Sequence, residues 1–161
     1  MIVVANAGPL IALAEIGCFD LLKSLYGRIH IPTAVRDEVV VSQDGRPGAL
    51  EVETAAWVQV MGVRDVTAVK ILRERLDRGE SEAIVLAIEL SADLLIIDEA
   101  RGRRISEARG LTKTGTLGTL VLAKKRGLIS KVTPLLDGLL AGGFRLHTDL
   151  YQAVRMMAGE S

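Results

Sequence analysis

The chain has 161 residues, with 20 Lys+Arg balanced by 20 Asp+Glu, 49% hydrophobic and 3% aromatic residues, and a single cysteine. That length suits one compact domain over 1–161 with ample apolar material for a core, and the composition excludes intrinsic disorder and any global pull toward polyanions. No apolar run approaches the roughly 20 residues of a membrane span, no basic leader opens the chain, and Cys18 alone excludes a disulfide framework or a cysteine-based zinc site. A cytoplasmic location is the expectation.

In chain order, Ile2–Ala5 is a continuous apolar run of buried-strand type, ended by Asn6 and the Gly8-Pro9 pair. A helix starting at Pro9 follows, with Leu10, Ile11, Leu13, Ala14 and Ile16 on its inner side, and a short helix runs over Phe19–Tyr26. Arg28–Ile31 reads as the second strand. Pro32-Thr33 then opens a helix carrying Val35, Val39 and Val40, with Asp37 and Glu38 between them. Ser42 to Gly48 is a surface loop. Ala49–Ala56 reads as helix, Trp57–Met61 as the third strand, and Thr67–Leu76 as an amphipathic helix. Gly79-Glu80-Ser81-Glu82 leads into a helix through Ile88 whose all-round apolarity implies burial.

Asp93–Ile97 is the strongest strand signal and ends on Asp98; the helix Glu99–Arg109 follows and closes at Gly110. A fifth strand over Leu111–Thr114, helices over Leu117–Arg126, Thr133–Leu140 and Thr148–Met157, and a short strand at Phe144–Leu146 complete the set. Short apolar strands alternating with helical stretches specify an α/β chain: a three-layer α/β/α domain with a mainly parallel central sheet.

Ligands of such sheets sit beyond the carboxyl ends of the strands, which singles out Asn6, Asp98 and the Thr114/Thr116 pair. Glu38, Glu80 and Glu82 are the acids able to join them. Oxygen donors without His or Cys suit Mg²⁺ or Mn²⁺, which polarise a phosphodiester and activate water. On residues alone each has a plainer reading. Asn6 caps the helix at Pro9, Glu38 lies on a solvated face, Asp98 caps the next helix, and Glu80 offsets a helix dipole, whereas Glu82 stands in an apolar helix and is the more site-like of that pair.

The ordered set Asn6-Ala7-Gly8-Pro9-Leu10-Ile11, Ile31-Pro32 with Val35-x-x-Glu38-Val39, Gly79-Glu80-Ser81-Glu82-Ala83-Ile84, Leu95-Ile96-Ile97-Asp98-Glu99-x-x-Gly102-Arg103 and Thr114-Gly115-Thr116-Leu117-Gly118 resembles the PIN-domain superfamily. More narrowly it resembles the prokaryotic PIN-like proteins known as DUF3368, over essentially the whole chain. The resemblance implies a small α/β/α nuclease that cuts RNA with Mg²⁺ or Mn²⁺, often as the toxin of a toxin–antitoxin pair restrained by a small antitoxin protein. It places Asn6, Glu38, Glu82 and Asp98 at the catalytic and metal-binding positions, with Thr116 at a hydroxyl position near the site, and it implies a homodimer. Asn6-Ala7-Gly8 departs from the usual Asp-Thr-Ser-like turn and removes one charge, which keeps a second reading open: a degenerate PIN-like module that binds RNA or protein without cutting.

Arg101, Arg103, Arg104, Arg109 and Lys113 crowd the segment after Asp98, with Lys124-Lys125-Arg126 further on; about half compensate helix C-termini and the rest are available to RNA phosphates. Few aromatics accompany them, so backbone contact rather than base stacking is expected. His30, His147 and Cys18 are expected to be structural or exposed. The Leu135-Leu136, Leu139-Leu140 and Met156-Met157 pairs are expected to supply a dimer surface.

Overall fold

In a computed structural model of the chain, residues 1–42 and 44–161 are described; Gln43, within the expected Ser42–Gly48 loop, lies outside them. The strands are β1 (Val3–Ala5), β2 (Ile29–Pro32), β3 (Val58–Met61), β4 (Leu94–Ile96) and β5 (Lys113–Thr114). They pair in the order β3-β2-β1-β4-β5, every pair parallel. Between them run α1 (Ala7–Glu15), α2 (Leu21–Tyr26), α3 (Thr33–Arg36), α4 (Ala49–Thr54), α5 (Val66–Leu72), α6 (Arg78–Glu89) and α7 (Ala100–Ala108), and after β5 come α8 (Thr116–Lys125), α9 (Thr133–Ala141) and α10 (Thr148–Met157). The expected three-layer α/β/α architecture is the one observed.

Strand pairing explains where the site must be. The chain leaves β1 toward β2 and β3 on one side, then returns to lay β4 and β5 on the other, so the strand order reverses between β1 and β4. Such a reversal point, at the carboxyl ends of the strands, is the usual ligand crevice of an open α/β sheet. Ala5 is in register with Ile96, and the Asn6 N–H donates to the Ile96 carbonyl at 2.9 Å, so the residues just past these strands face one another across the crevice.

The core is continuous through the sheet. Val3, Val4, Leu95 and Ile96 are fully buried, as are Ile84 and Ala87 of α6, the helix that lies across β1, β2 and β4. Each large apolar side chain so buried contributes about 1.5–3 kcal/mol. On the other side α8 packs on α1, α2 and α10. Among the described residues no helix is long and apolar enough to cross a membrane.

Three expectations need correction. The helix after β2 does not stay regular: α3 passes into a π-helical turn over Asp37–Val41, closed by the Ser42 N–H bonding to the Asp37 carbonyl, which buries the adjacent Val39 and Val40. Phe144–Leu146 forms no strand, because the Phe144 N–H bonds to the Leu139 carbonyl at the end of α9, across Gly143 at φ +91°. Leu136 and Leu139 are core residues rather than surplus surface, which leaves Leu140, Met156 and Met157 exposed.

The C-terminus is fastened by one carboxylate. Glu160 Oε2 accepts from Lys124 Nζ and the Val132 N–H, both at 2.7 Å, and Oε1 accepts from the Thr133 N–H and hydroxyl at 3.1 and 2.6 Å, so Glu160 caps α9 from outside its own segment. These bonds hold its carboxyl well below the usual carboxylate range. A depressed folded pKa contributes stability in full above the unfolded value near 4.3, and that stability is lost as pH falls from there toward the lower folded value. Glu160→Ala is therefore expected to lower the melting temperature at pH 7 and to lose that penalty in acid, as thermal denaturation at the two pH values would show.

Candidate metal and phosphodiester site

Asn6 takes the N-cap position of α1 by its backbone, yet its side chain makes no capping hydrogen bond. The residue is 7% exposed and its Oδ1 has no partner. That oxygen faces Gly79 in the first turn of α6: a Cβ built there would stand 3.6 Å from Asn6 Oδ1, 3.0 Å from Glu38 Oε1 and 3.7 Å from Asp77 Oδ1. Gly79 is thus the gap around which three oxygens gather. The π-helical turn brings Glu38 there, and burial, with the Asp77 charge, raises its pKa.

Asp77 caps α6, its Oδ1 accepting the Glu80 N–H at 2.8 Å. Glu80 is 8% exposed, and its Oε2 is buried without a partner. Burial, hydrogen bonding to Asp77 and the charges of Asp77, Glu99 and Glu38 push its carboxyl up to about 8. A buried carboxyl crowded by like charges favours its protonated form, an environment often found at functional sites.

On the β4 side of the crevice, Asp98 does not cap α7; Glu99 takes the N-cap position. Asp98 Oδ1 accepts the Thr116 N–H at 2.8 Å and Oδ2 the Thr116 hydroxyl at 2.6 Å, which fixes the carboxylate plane. Burial raises its pKa, while those two bonds and Arg103 pull it back. Its Oδ2 points toward Gly8 of α1, two residues past Asn6. Arg103 is itself held by donating to the Ile97 carbonyl at 3.1 Å.

The structure therefore brings Asn6 and Glu38 together at Gly79 of α6 and sets Asp98 Oδ2 beside Gly8 of α1. Glu82, three residues beyond Gly79 on α6, is held by two bonds of its own. Glu82 Oε1 accepts the Ala34 N–H at the start of α3, and Oε2 pairs with Arg78 Nε, both at 3.1 Å. Glu80 is a second acid of α6 with a buried carboxyl, its Oε2 lying toward Gly102 of α7. Asp77 and Glu80 were the site acids least visible in the sequence. Their signal was the Asp77-x-x-Glu80 spacing of a helix cap, which reads as structural.

The family model described as DUF3368: PIN domain matches residues 2–160. The chain belongs to this PIN-domain family. No curated protein matches it in sequence. PIN domains are nuclease-type domains that generally use divalent metals. The residues present fit such an ion: all donors are oxygens, the set is acid-rich, and two buried oxygens, Asn6 Oδ1 and Glu80 Oε2, have nothing to bind. Among the described residues no three acidic, His or Cys side chains stand close enough to chelate an ion as they are, so the carboxylates of the PIN-domain crevice must draw in to hold one.

Proposed function

We propose that this PIN domain is a Mg²⁺- or Mn²⁺-dependent endoribonuclease whose ion is held by Asp98, Glu38, Glu80 and Asn6. The observation that carries the reading is the orphaned buried Asn6 Oδ1, gathered with the Glu38 and Asp77 carboxylates around Gly79, together with a second orphaned oxygen, Glu80 Oε2, on the next residue of α6. A divalent ion supplies charge that polarises a phosphodiester and makes water a nucleophile at neutral pH. Thr116 orients Asp98 with two hydrogen bonds, and Asp77 sets the turn that aims Glu80. A cation bound there would favour the ionised form of Glu80. Asn6 contributes a neutral oxygen where an aspartate would add charge, and so weakens ion binding without closing the position. Glu82, the ligand expected from the sequence, holds α3 in place.

The RNA backbone has a cationic landing beside these acids. Arg75, Arg101 and Arg104 line a depression of about 410 Å³ together with Asp77, Glu80 and Glu99, and it continues into a second of about 560 Å³ lined by the same three arginines. Among the described residues none of the three pairs with a carboxylate. By contrast Lys113 and Lys124 are spent on Glu107 and Glu160. On this reading the chain is the toxin of a toxin–antitoxin pair, acting in the cytoplasm and restrained by a small antitoxin, a role supported by the family alone. Exposed Leu140 and Met156 support a homodimer.

Cleavage of mixed-sequence RNA, with Mn²⁺ present or chelated, tests the reading. The wild type is expected to cut only with metal, Asp98→Asn to lose at least about 100-fold, in the range of lost charge stabilisation at such centres, and Asn6→Asp to cut faster. Metal-independent RNA binding with no turnover in any variant would favour the binding-module alternative.

A further inference from the structure

Asp98 also lines a cavity of about 570 Å³ whose lining includes neither Asn6 nor Glu38. Its walls are apolar: Leu117 from the first turn of α8, Leu150 and Met157 from α10, and the ring of Phe144. Arg103 and Arg145 supply positive charge, and Glu99 and Ala100 are shared with the arginine depression.

We propose that this cavity is a nucleotide subsite, holding one unpaired base of single-stranded RNA on Phe144 beside Asp98, with Arg145 against the adjoining phosphate. The inference rests on the nuclease reading for its ligand and adds what that reading lacks, a basis for choosing single strands.

The chain has five aromatic residues, and Phe144 is the one the fold brings to Asp98. Phe19 and Trp57 pack on each other, ring centres 5.0 Å apart, and so cannot serve. Phe144 is half-buried on an irregular segment fixed at one end by its own N–H on the Leu139 carbonyl, so its ring is held without a helix or strand around it. The volume lies within the range of small-ligand sites. It suits one extruded nucleotide and is too small for a duplex.

The mixed lining also fits a nucleotide better than other occupants. A base face stacks on an aromatic ring and its phosphate pairs with a guanidinium. An apolar helix from a second copy would cover Leu150 and Met157 but leave Arg103, Arg145 and Asp98 facing apolar surface, at a desolvation cost with no return.

The test measures binding of a short labelled RNA to the whole protein by anisotropy in chelator, as a single strand and as the duplex of the same sequence. Wild type, Phe144→Ala, Phe144→Trp and Arg145→Ala are compared after their melting temperatures confirm folding. Phe144→Ala should weaken single-strand binding about tenfold, the scale of one lost base stack, with duplex binding almost unmoved and Phe144→Trp restoring affinity. Arg145→Ala, an exposed substitution that leaves the fold intact, should lower the salt dependence for single strands by about 0.7 in log–log slope, one phosphate contact.

Equal losses for strand and duplex, unchanged affinity in both variants, or a wild type that binds no single strand would each overturn the subsite. So would a Phe144→Ala protein whose mass falls from dimer to monomer while RNA affinity stays put, since the cavity would then be a chain–chain contact. The two readings fail separately. Metal-dependent cleavage that keeps its KM in Phe144→Ala removes the subsite alone. A wild type that never cuts, yet loses single-strand affinity on Phe144→Ala, removes the nuclease and leaves the subsite as an RNA-binding site.

Discussion

Glu80→Gln is expected to abolish metal-dependent cleavage while making the metal-free protein more stable at pH 8, and Glu82→Gln is expected to do the opposite on both counts. The Glu80 carboxyl, pushed up to about 8, has a folded pKa above its unfolded value near 4.3. The folded state therefore binds the proton more tightly between those limits. Its contribution to stability is complete below about 4.3 and is lost as pH rises through about 8. Burial raises Glu38 and Asp98 in the same direction, so the chelated protein should lose stability as pH rises from about 4.3 toward about 8.

A neutral glutamine escapes that penalty, and each kcal/mol of relief should raise the melting temperature by about 2–4 °C at this chain length. Mn²⁺ should stabilise the wild type at pH 8 by displacing the proton, and should do so far less in Glu80→Gln. In Glu82→Gln the amide oxygen still accepts from Ala34 but the pairing with Arg78, which is half exposed, is lost. That variant should be destabilised by about 1 kcal/mol and keep its metal response. Thermal melts with chelator or Mn²⁺ at two pH values separate the four cases.

Gly115→Ala should lower cleavage by about 100-fold or more, the scale at which small misplacements of a reacting group act. Gly115 is extended, at φ −137°, so its backbone suits any residue; the constraint is space. A Cβ there would overlap Asp98 Oδ1 and stand 3.1 Å from Arg103 Nη1 and 3.3 Å from the Ile97 carbonyl. Asp98 is held by two bonds to Thr116 and cannot step aside without breaking them. Gly110→Ala is the informative contrast. At φ +76° with open space around it, that substitution strains only the end of α7 and should cost about 1–2 kcal/mol of stability, with turnover per folded molecule unchanged. Comparing kcat with melting temperature in both variants tells a displaced site from a weakened fold.

Residues that announce themselves by period or position were legible in advance. The strands around Val4, Ile31 and Leu95 could be read because continuous apolar runs admit few other structures, and Asn6 and Asp98 because strand ends are where such sheets bind ligands. The π-helical turn was not legible: one extra residue in a helical turn leaves no mark on an apolar pattern, and it is what swings Glu38 toward Gly79.

Nor was the choice between Glu80 and Glu82. Two residues apart on one helix they point to different sides, and which side meets the crevice depends on how α6 seats on β1 and β4. The apolar neighbours of Glu82 suggested a functional reason for a buried charge, and the Ala34 N–H and Arg78 supply a structural one. Phe144 was hidden for a related cause. Scarce aromatics argued against stacking, but one ring suffices when the fold returns the C-terminal segment to Asp98.

Crystals of the protein soaked in Mn²⁺ and measured at a wavelength where manganese scatters anomalously would test the central claim directly. An anomalous peak is expected at the carboxyl ends of β1 and β4, bonded to Asn6 Oδ1 and to carboxylate oxygens of Glu80, Glu38 and Asp98, with Glu82 still on Ala34 and Arg78. A peak ligated by Glu82 in place of Glu80, or a crevice without manganese at saturating concentration, would contradict it.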